Sequence, residues 1–143
     1  NQSYKKIQFN IIRISVCPFF QFLSILEIYY MKLFNAVMKN NNYRKVLETN
    51  KKTQIVAMCL KKHEDIPEEK HVGHEQLFIV LKGKMYIKIN NKGKYLNVGD
   101  SITVKSGEKH YVKNSGNDDL KIITIYSPPE HYDNRIDKRQ PKN

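Results

Sequence analysis

The sequence predicts an all-β domain, a sandwich or barrel of many short strands, and three observations carry that expectation. From Tyr43 onward apolar residues recur with a period of two, the apolar runs are short, and glycine-bearing turns separate them. Side chains alternate across a strand, so this period buries one face of a sheet. Chains that repeat it with frequent turns close into two packed sheets or a barrel.

Residues 1–30 stand apart from that pattern. Ile14 to Leu26 is uncharged and largely apolar, but Pro18 interrupts it and Glu27 closes it, short of the ~20 residues of a membrane span. No membrane association is expected. Lys5, Lys6 and Arg13 imitate the start of a secretion signal, yet no small-residue cleavage site follows before Tyr29-Tyr30. Met31-Lys32-Leu33-Phe34 reads as a natural start, so 1–30 is treated as a leader and 31–126 as the domain. Residues 31–143 are expected to fold and stay soluble alone.

A helical turn is predicted from Phe34 to Met38, followed by the polar break Lys39-Asn40-Asn41-Asn42. Strands are predicted at Thr53 to Lys61, Leu77 to Leu81, Lys84 to Asn90, Lys94 to Val98, Ser101 to Val104, Lys109 to Asn114 and Leu120 to Tyr126. Lys82-Gly83, Asn91-Lys92-Gly93, Gly99-Asp100, Ser106-Gly107 and Ser115-Gly116-Asn117-Asp118 are the turn signals between them. The Pro- and charge-rich tail 127–143 is expected to lie extended over the surface.

At 143 residues, 40% hydrophobic and 27% charged, the chain has the length and balance of one globular domain. A net charge of +11 raises the question of a polyanionic partner. The lysines are scattered and the arginines few, and no stacking platform or base-reading motif is visible along the chain. Any affinity for nucleic acid is therefore expected to be electrostatic, salt-sensitive and without sequence specificity. Cys17 and Cys59 are too few for a disulfide scaffold and are not spaced as a metal knuckle. They fit a reducing, cytoplasmic compartment, with Cys59 read as a small buried hydrophobe.

Potential metal ligands concentrate in Glu69-Lys70-His71-Val72-Gly73-His74-Glu75-Gln76. On an extended strand Glu69 and His71 project to one face. Gln76 rejoins that face if Val72-Gly73-His74 turns the backbone, and His110 opens another strand after the turn at Ser106-Gly107. Two imidazoles, a carboxylate and an amide oxygen suit one divalent transition metal: Mn, Fe, Co, Ni or Zn. By spacing alone His74 is an alternative to His71, and Glu75 is read as facing solvent. His63 and His131 are read as surface residues, while Tyr86, Tyr95, Tyr111 and Tyr126 are read as lining the barrel.

Two separated motifs give these residues a family context. Glu69-x-His71, Gln76 after four residues and Gly83 after six more, then Gly99, Lys105-Ser106-Gly107, His110 and Asn114, meet both cupin motif spacings without an insertion. From Tyr43 to Glu130 the chain resembles the cupin superfamily. Tyr43-Arg44-Lys45-Val46-Leu47 and the ending Ile125 to His131 are similar to small single-domain cupins described as mannose-6-phosphate isomerase-like. The resemblance implies a jelly-roll β-barrel (double-stranded β-helix) with a metal inside the mouth, held by Glu69, His71, Gln76 and His110. The chain departs from the pattern where Glu69 replaces a histidine, Gln76 replaces the usual glutamate, Lys105 replaces a proline and His63 replaces a glycine.

The function this implies is a metal-binding cupin that binds or acts on a small polar molecule, with a sugar phosphate as the narrower expectation. Lys82, Lys84 and Lys109 are the cations that would hold phosphate, and no residue is assigned as the proton carrier. The alternative is a non-enzymatic ligand-binding cupin whose metal is structural or absent, a reading that neutral Gln76 favours. Pairing of two copies through outer sheet edges, a homodimer, is a further expectation from the resemblance.

Overall fold

The computed structural model describes residues 31–141. The expectations for the leader and for Cys17 lie outside the described residues. Among those residues, no helix is long and apolar enough to cross a membrane.

Among the described residues one helix, α1 (Leu33–Lys39), precedes ten strands: β1 (Arg44–Thr49), β2 (Gln54–Leu60), β3 (Asp65–Lys70), β4 (Glu75–Lys82), β5 (Met85–Ile89), β6 (Lys92–Leu96), β7 (Ser101–Val104), β8 (Lys109–Asn114), β9 (Leu120–Ser127) and β10 (Ile136–Asp137). They form a six-stranded sheet in the order β10-β1-β2-β9-β4-β7 and a four-stranded sheet in the order β3-β8-β5-β6. Every pairing is antiparallel. The two sheets enclose one core, in which Met58, Leu60, Ile66, Phe78, Val80, Ile87, Val112, Leu120 and Ile122 are buried. This is the jelly-roll barrel that the motif spacing implied.

Strands β2, β9 and β4 lie in the interior of the larger sheet; β2 and β9 bury residues on both faces, while β4 buries its inner face and half-buries Leu77, Ile79 and Leu81 on the outer one. The outer face is covered by α1, whose Val37 packs with Ala57 and Ile123 in a second apolar cluster. That cover explains why the run from Gln76 to Leu81 is apolar without alternation. Asn40 closes α1 and ties it to the sheet: its Nδ2 donates to Ala57 O at 3.3 Å, and its carbonyl accepts from buried Lys121 Nζ.

Strands β1 and β3 are not among the predicted strands, and two further departures have clear causes. The β5–β6 turn falls on Asn90-Asn91 instead of Asn91-Lys92-Gly93, because Asn90 takes the left-handed conformation (φ 51°) and Ile89 pairs directly with Lys92. Gly93 is thereby a strand residue, and the Tyr86 ring lies across it so closely that a Cβ there would meet Tyr86 Oη at 2.2 Å. The tail does run extended over the domain, and part of it joins the sheet: β10 pairs with β1, and Arg44 bridges Asp137 at 3.0 Å. His63, at the family's glycine position, holds φ at 69°, a conformation glycine adopts freely.

Candidate metal centre

Strand β3 delivers Glu69 to the interior through a bulge. Ile66 pairs with Val112 and Glu69 with His110, so three steps along β3 match two along β8. The extra residue falls at Pro67-Glu68, where proline has no N–H to lose from the ladder. Without it, alternation from buried Ile66 would turn Glu68 inward and Glu69 outward. His71 lies just beyond β3. Its carbonyl accepts from Gly107 N and Gly73 N donates to Ser106 Oγ, both at 2.8 Å, which joins the β3–β4 loop to the β7–β8 loop.

Glu69, His71 and His110 present ligand atoms that all lie within 4.8 Å of one another. Glu69 Oε1 is 3.2 Å from His71 Nε2 and 3.3 Å from His110 Nε2. Neither contact is aligned as a hydrogen bond, and all three atoms are buried without a partner. The opposite ring nitrogens face oxygens: His71 Nδ1 lies 3.4 Å from Glu130 Oε1, and His110 Nδ1 lies 3.5 Å from the Glu108 carbonyl. In the tautomers these oxygens favour, each Nδ1 carries the proton and each Nε2 turns a lone pair inward. Two lone pairs and a carboxylate oxygen facing one another repel unless a cation or a proton sits among them.

Gln76, on the inner face of β4, is also buried. Its Nε2 donates to Tyr126 Oη at 2.8 Å, which leaves Oε1 as a fourth buried oxygen or nitrogen without a partner. The Tyr126 ring stands edge-on to His71 at 5.8 Å, and Phe78 backs His110 at 5.9 Å. His74 turns away, with Nδ1 3.0 Å from Pro128 O and Nε2 3.1 Å from Glu130 Oε2, so it is an anchor for the tail and does not replace His71. Glu75 and His63 are exposed.

His131 differs from its expected surface position. It is half-buried 4.9 Å from the Tyr126 ring, because Gln54 donates to its carbonyl and accepts from its amide. Tyr86, Tyr95 and Tyr111 do not line the interior: their inner-facing neighbours are Met85, Ile87, Leu96, His110 and Val112, and the tyrosines lie on the outer face. Sequence reasoning assigned no role to Glu130 or Arg44. Glu130 was legible only as part of the family-like ending, and nothing in the order of residues placed Arg44 beside Glu69.

The titrating groups set an acid limit. Burial and then the charges of Arg44 and Arg135 lower the His131 pKa from 6.5 to about 4. Burial pushes Glu69 up, but His110 and His71 outweigh it and bring it from 4.5 down to about 2. The unfolded chain therefore binds protons that the native state refuses, and stability drops as pH falls. The His131 contribution is complete above pH 6.5 and is lost by about 4, whereas that of Glu69 is lost between 4.5 and about 2. His71, raised from 6.5 chiefly by Glu69, acts in the opposite sense: its contribution is full below 6.5 and lost as pH rises through its native value. Melting temperatures of metal-free protein are expected to fall from pH 6.5 to 3, and His131→Phe is expected to flatten the decline between 6.5 and 4.

Comparison with known proteins agrees with this geometry. The family described as Cupin domain matches residues 56–126. An uncharacterized protein of Acanthamoeba polyphaga mimivirus is 36% identical over 122 residues, 82% of this chain and 76% of its own. A protein of Thermotoga maritima named Oxalate-binding protein is 29% identical over 76 residues, 53% of this chain and 63% of its own. A crystal structure from Bacillus halodurans shares the fold with a TM-score of 0.75 at 24% identity, over 77% of this chain and 88% of that one.

Proposed function

The chain belongs to the cupin superfamily, and from that premise we propose that it holds one divalent transition metal through Glu69, His71, Gln76 and His110 and uses it to bind a small carboxylate-bearing molecule. The observation that carries the reading is the set of four buried atoms without partners, Glu69 Oε1, His71 Nε2, Gln76 Oε1 and His110 Nε2. Each is a metal-ligand type, and buried polar atoms are normally paired. A bound ion would supply positive charge for a ligand's oxygen atoms. The chain's own groups do the rest: Glu130 and the Glu108 carbonyl fix the imidazoles, and Phe78 walls His110 off from water.

The ligand class rests on a cavity of about 200 Å³ that Glu69 shares with Tyr43, Arg44, Ile66, Glu68 and Gln140. Arg44 is buried, with one terminal nitrogen on Asp137 and its Nε without a partner. A guanidinium donor beside a metal-ligating carboxylate suits a small oxyacid anion, and the relative named for oxalate supports the same class. The narrower sugar-phosphate reading gains nothing from this cavity, since Lys82, Lys84 and Lys109 do not line it.

Thermal-shift and calorimetric titrations with Mn, Fe, Co, Ni and Zn, each with and without oxalate, test the proposal. Oxalate is expected to bind only the metal-loaded protein. Arg44→Lys is expected to weaken it about tenfold while leaving metal affinity unchanged, from the loss of one charge-assisted hydrogen bond. Oxalate binding of equal strength with and without metal would refute it.

A further inference from the structure

The outer face of the four-stranded sheet carries a second concavity, of about 520 Å³, lined by Tyr86, Tyr95, Tyr111, Lys62 and Lys113 with the turn Asn114 to Asn117. Its volume falls in the ~300–1,000 Å³ range of ligand pockets. Three strands contribute one tyrosine each. Tyr95 of β6 pairs with Tyr86 of β5, which pairs with Lys113 of β8, and Tyr111 stands in the adjacent row opposite Lys88. The Tyr86 and Tyr95 rings are 5.0 Å apart at 53°, and Lys84 Nζ lies 5.2 Å from the Tyr95 centroid.

Packing over Gly93 explains Tyr86. It does not explain Tyr95, which is 59% exposed. Among the described residues Lys62, Lys84 and Lys113 enter no ion pair. The nearby acid, Asp65, is engaged by Tyr111 Oη at 3.0 Å and Gln140 Nε2 at 2.9 Å. The face thus offers aromatic rings flanked by three lysines, of which Lys113 stands opposite Asp65 in the strand register.

We propose that this face binds single-stranded nucleic acid without sequence preference, bases against the tyrosines and phosphates among Lys62, Lys84 and Lys113. Stacking tolerates any base, and lysine charge tracks a phosphate backbone. A strand fits better than a lone nucleotide because the tyrosines span three neighbouring β-strands, each ~4.8 Å from the next. The site is independent of the metal centre, on the opposite face of the sheet.

Fluorescence anisotropy of the full chain with an oligothymidine of about 12 nucleotides, inside the usual ~4–16 site size, tests the proposal. Tyr95→Ala is expected to weaken binding about 5- to 100-fold, the usual effect of removing one stacking platform. Lys113→Glu should weaken binding and flatten its salt dependence. Binding of inorganic polyphosphate should ignore Tyr95→Ala, and Lys51→Glu with Lys52→Glu, in the β1–β2 turn of the other sheet, should matter little. Because Tyr95 is exposed, its variant should fold, and an unchanged melting temperature checks that. No binding at low salt, an unchanged affinity in Tyr95→Ala, or equal losses from Lys113 and from Lys51 with Lys52 would overturn the proposal. Thymidine monophosphate binding as tightly as the oligomer would replace the strand by a free nucleotide.

Discussion

His110→Ala is expected to abolish the rise in melting temperature that a transition metal gives the unmodified protein. If only the native state binds, a free metal concentration one hundred times Kd stabilises by about 2.7 kcal/mol. For a domain of this size that is ~10 °C or more. His71→Ala should behave alike, because both Nε2 atoms face Glu69 Oε1 at 3.2 and 3.3 Å. His63→Ala and His74→Ala should retain the shift, since His63 is exposed and His74 is held by Pro128 and Glu130. Gln76→Glu should enlarge it by adding charge to the donor set. Metal content of the purified variants, measured by mass spectrometry, gives a readout that stability alone does not move. If the histidines are only packed and polar, metal will stabilise His110→Ala as much as wild type, and the four-ligand centre fails.

Phe78→Ala is expected to cost about 3–5 kcal/mol, the range for a large aromatic deleted from a packed core. Phe78 is fully buried on β4, and its ring meets His110 edge-on at 5.9 Å. The cavity therefore opens beside a metal ligand, so the metal-induced shift should shrink along with the stability. Leu120→Ala is the control. Leu120 is equally buried but pairs with Leu60 at the far end of β9 from Tyr126, ~20 Å away along the strand. It should lose comparable stability, about 2–5 kcal/mol, and keep the metal response. Denaturant titrations with and without metal separate the two, and equal metal responses would show that Phe78 does not support His110.

Much of this was legible in the sequence for a physical reason. Alternation and glycine turns are local signals, and they marked β7 and β8 to the residue. Glu69, His71 and His110 were recoverable because motif spacing encodes strand pairing. What failed to appear depends on partners far along the chain. Arg44 reaches the Glu69 cavity because β1 ends up beside it, and Glu130 reaches His71 because Gln54 clamps the tail at His131. The three outer tyrosines, at 86, 95 and 111, become neighbours only through the β6-β5-β8 register. The β5–β6 turn was misplaced by one residue, because Gly93 looked like a turn signal and is in fact a strand glycine covered by an aromatic ring.

The bulge at Pro67-Glu68 bears on how the domain tolerates changes of length. It contributes one surplus residue between Ile66 and Glu69, so deleting Glu68 would shorten their separation from three positions to two and restore plain alternation with Glu69 still facing inward. Removing both Pro67 and Glu68 would invert the parity and send the carboxylate to solvent. In an alignment, a single-residue gap at this point should therefore be compatible with the same metal ligands, whereas a two-residue gap should coincide with their loss.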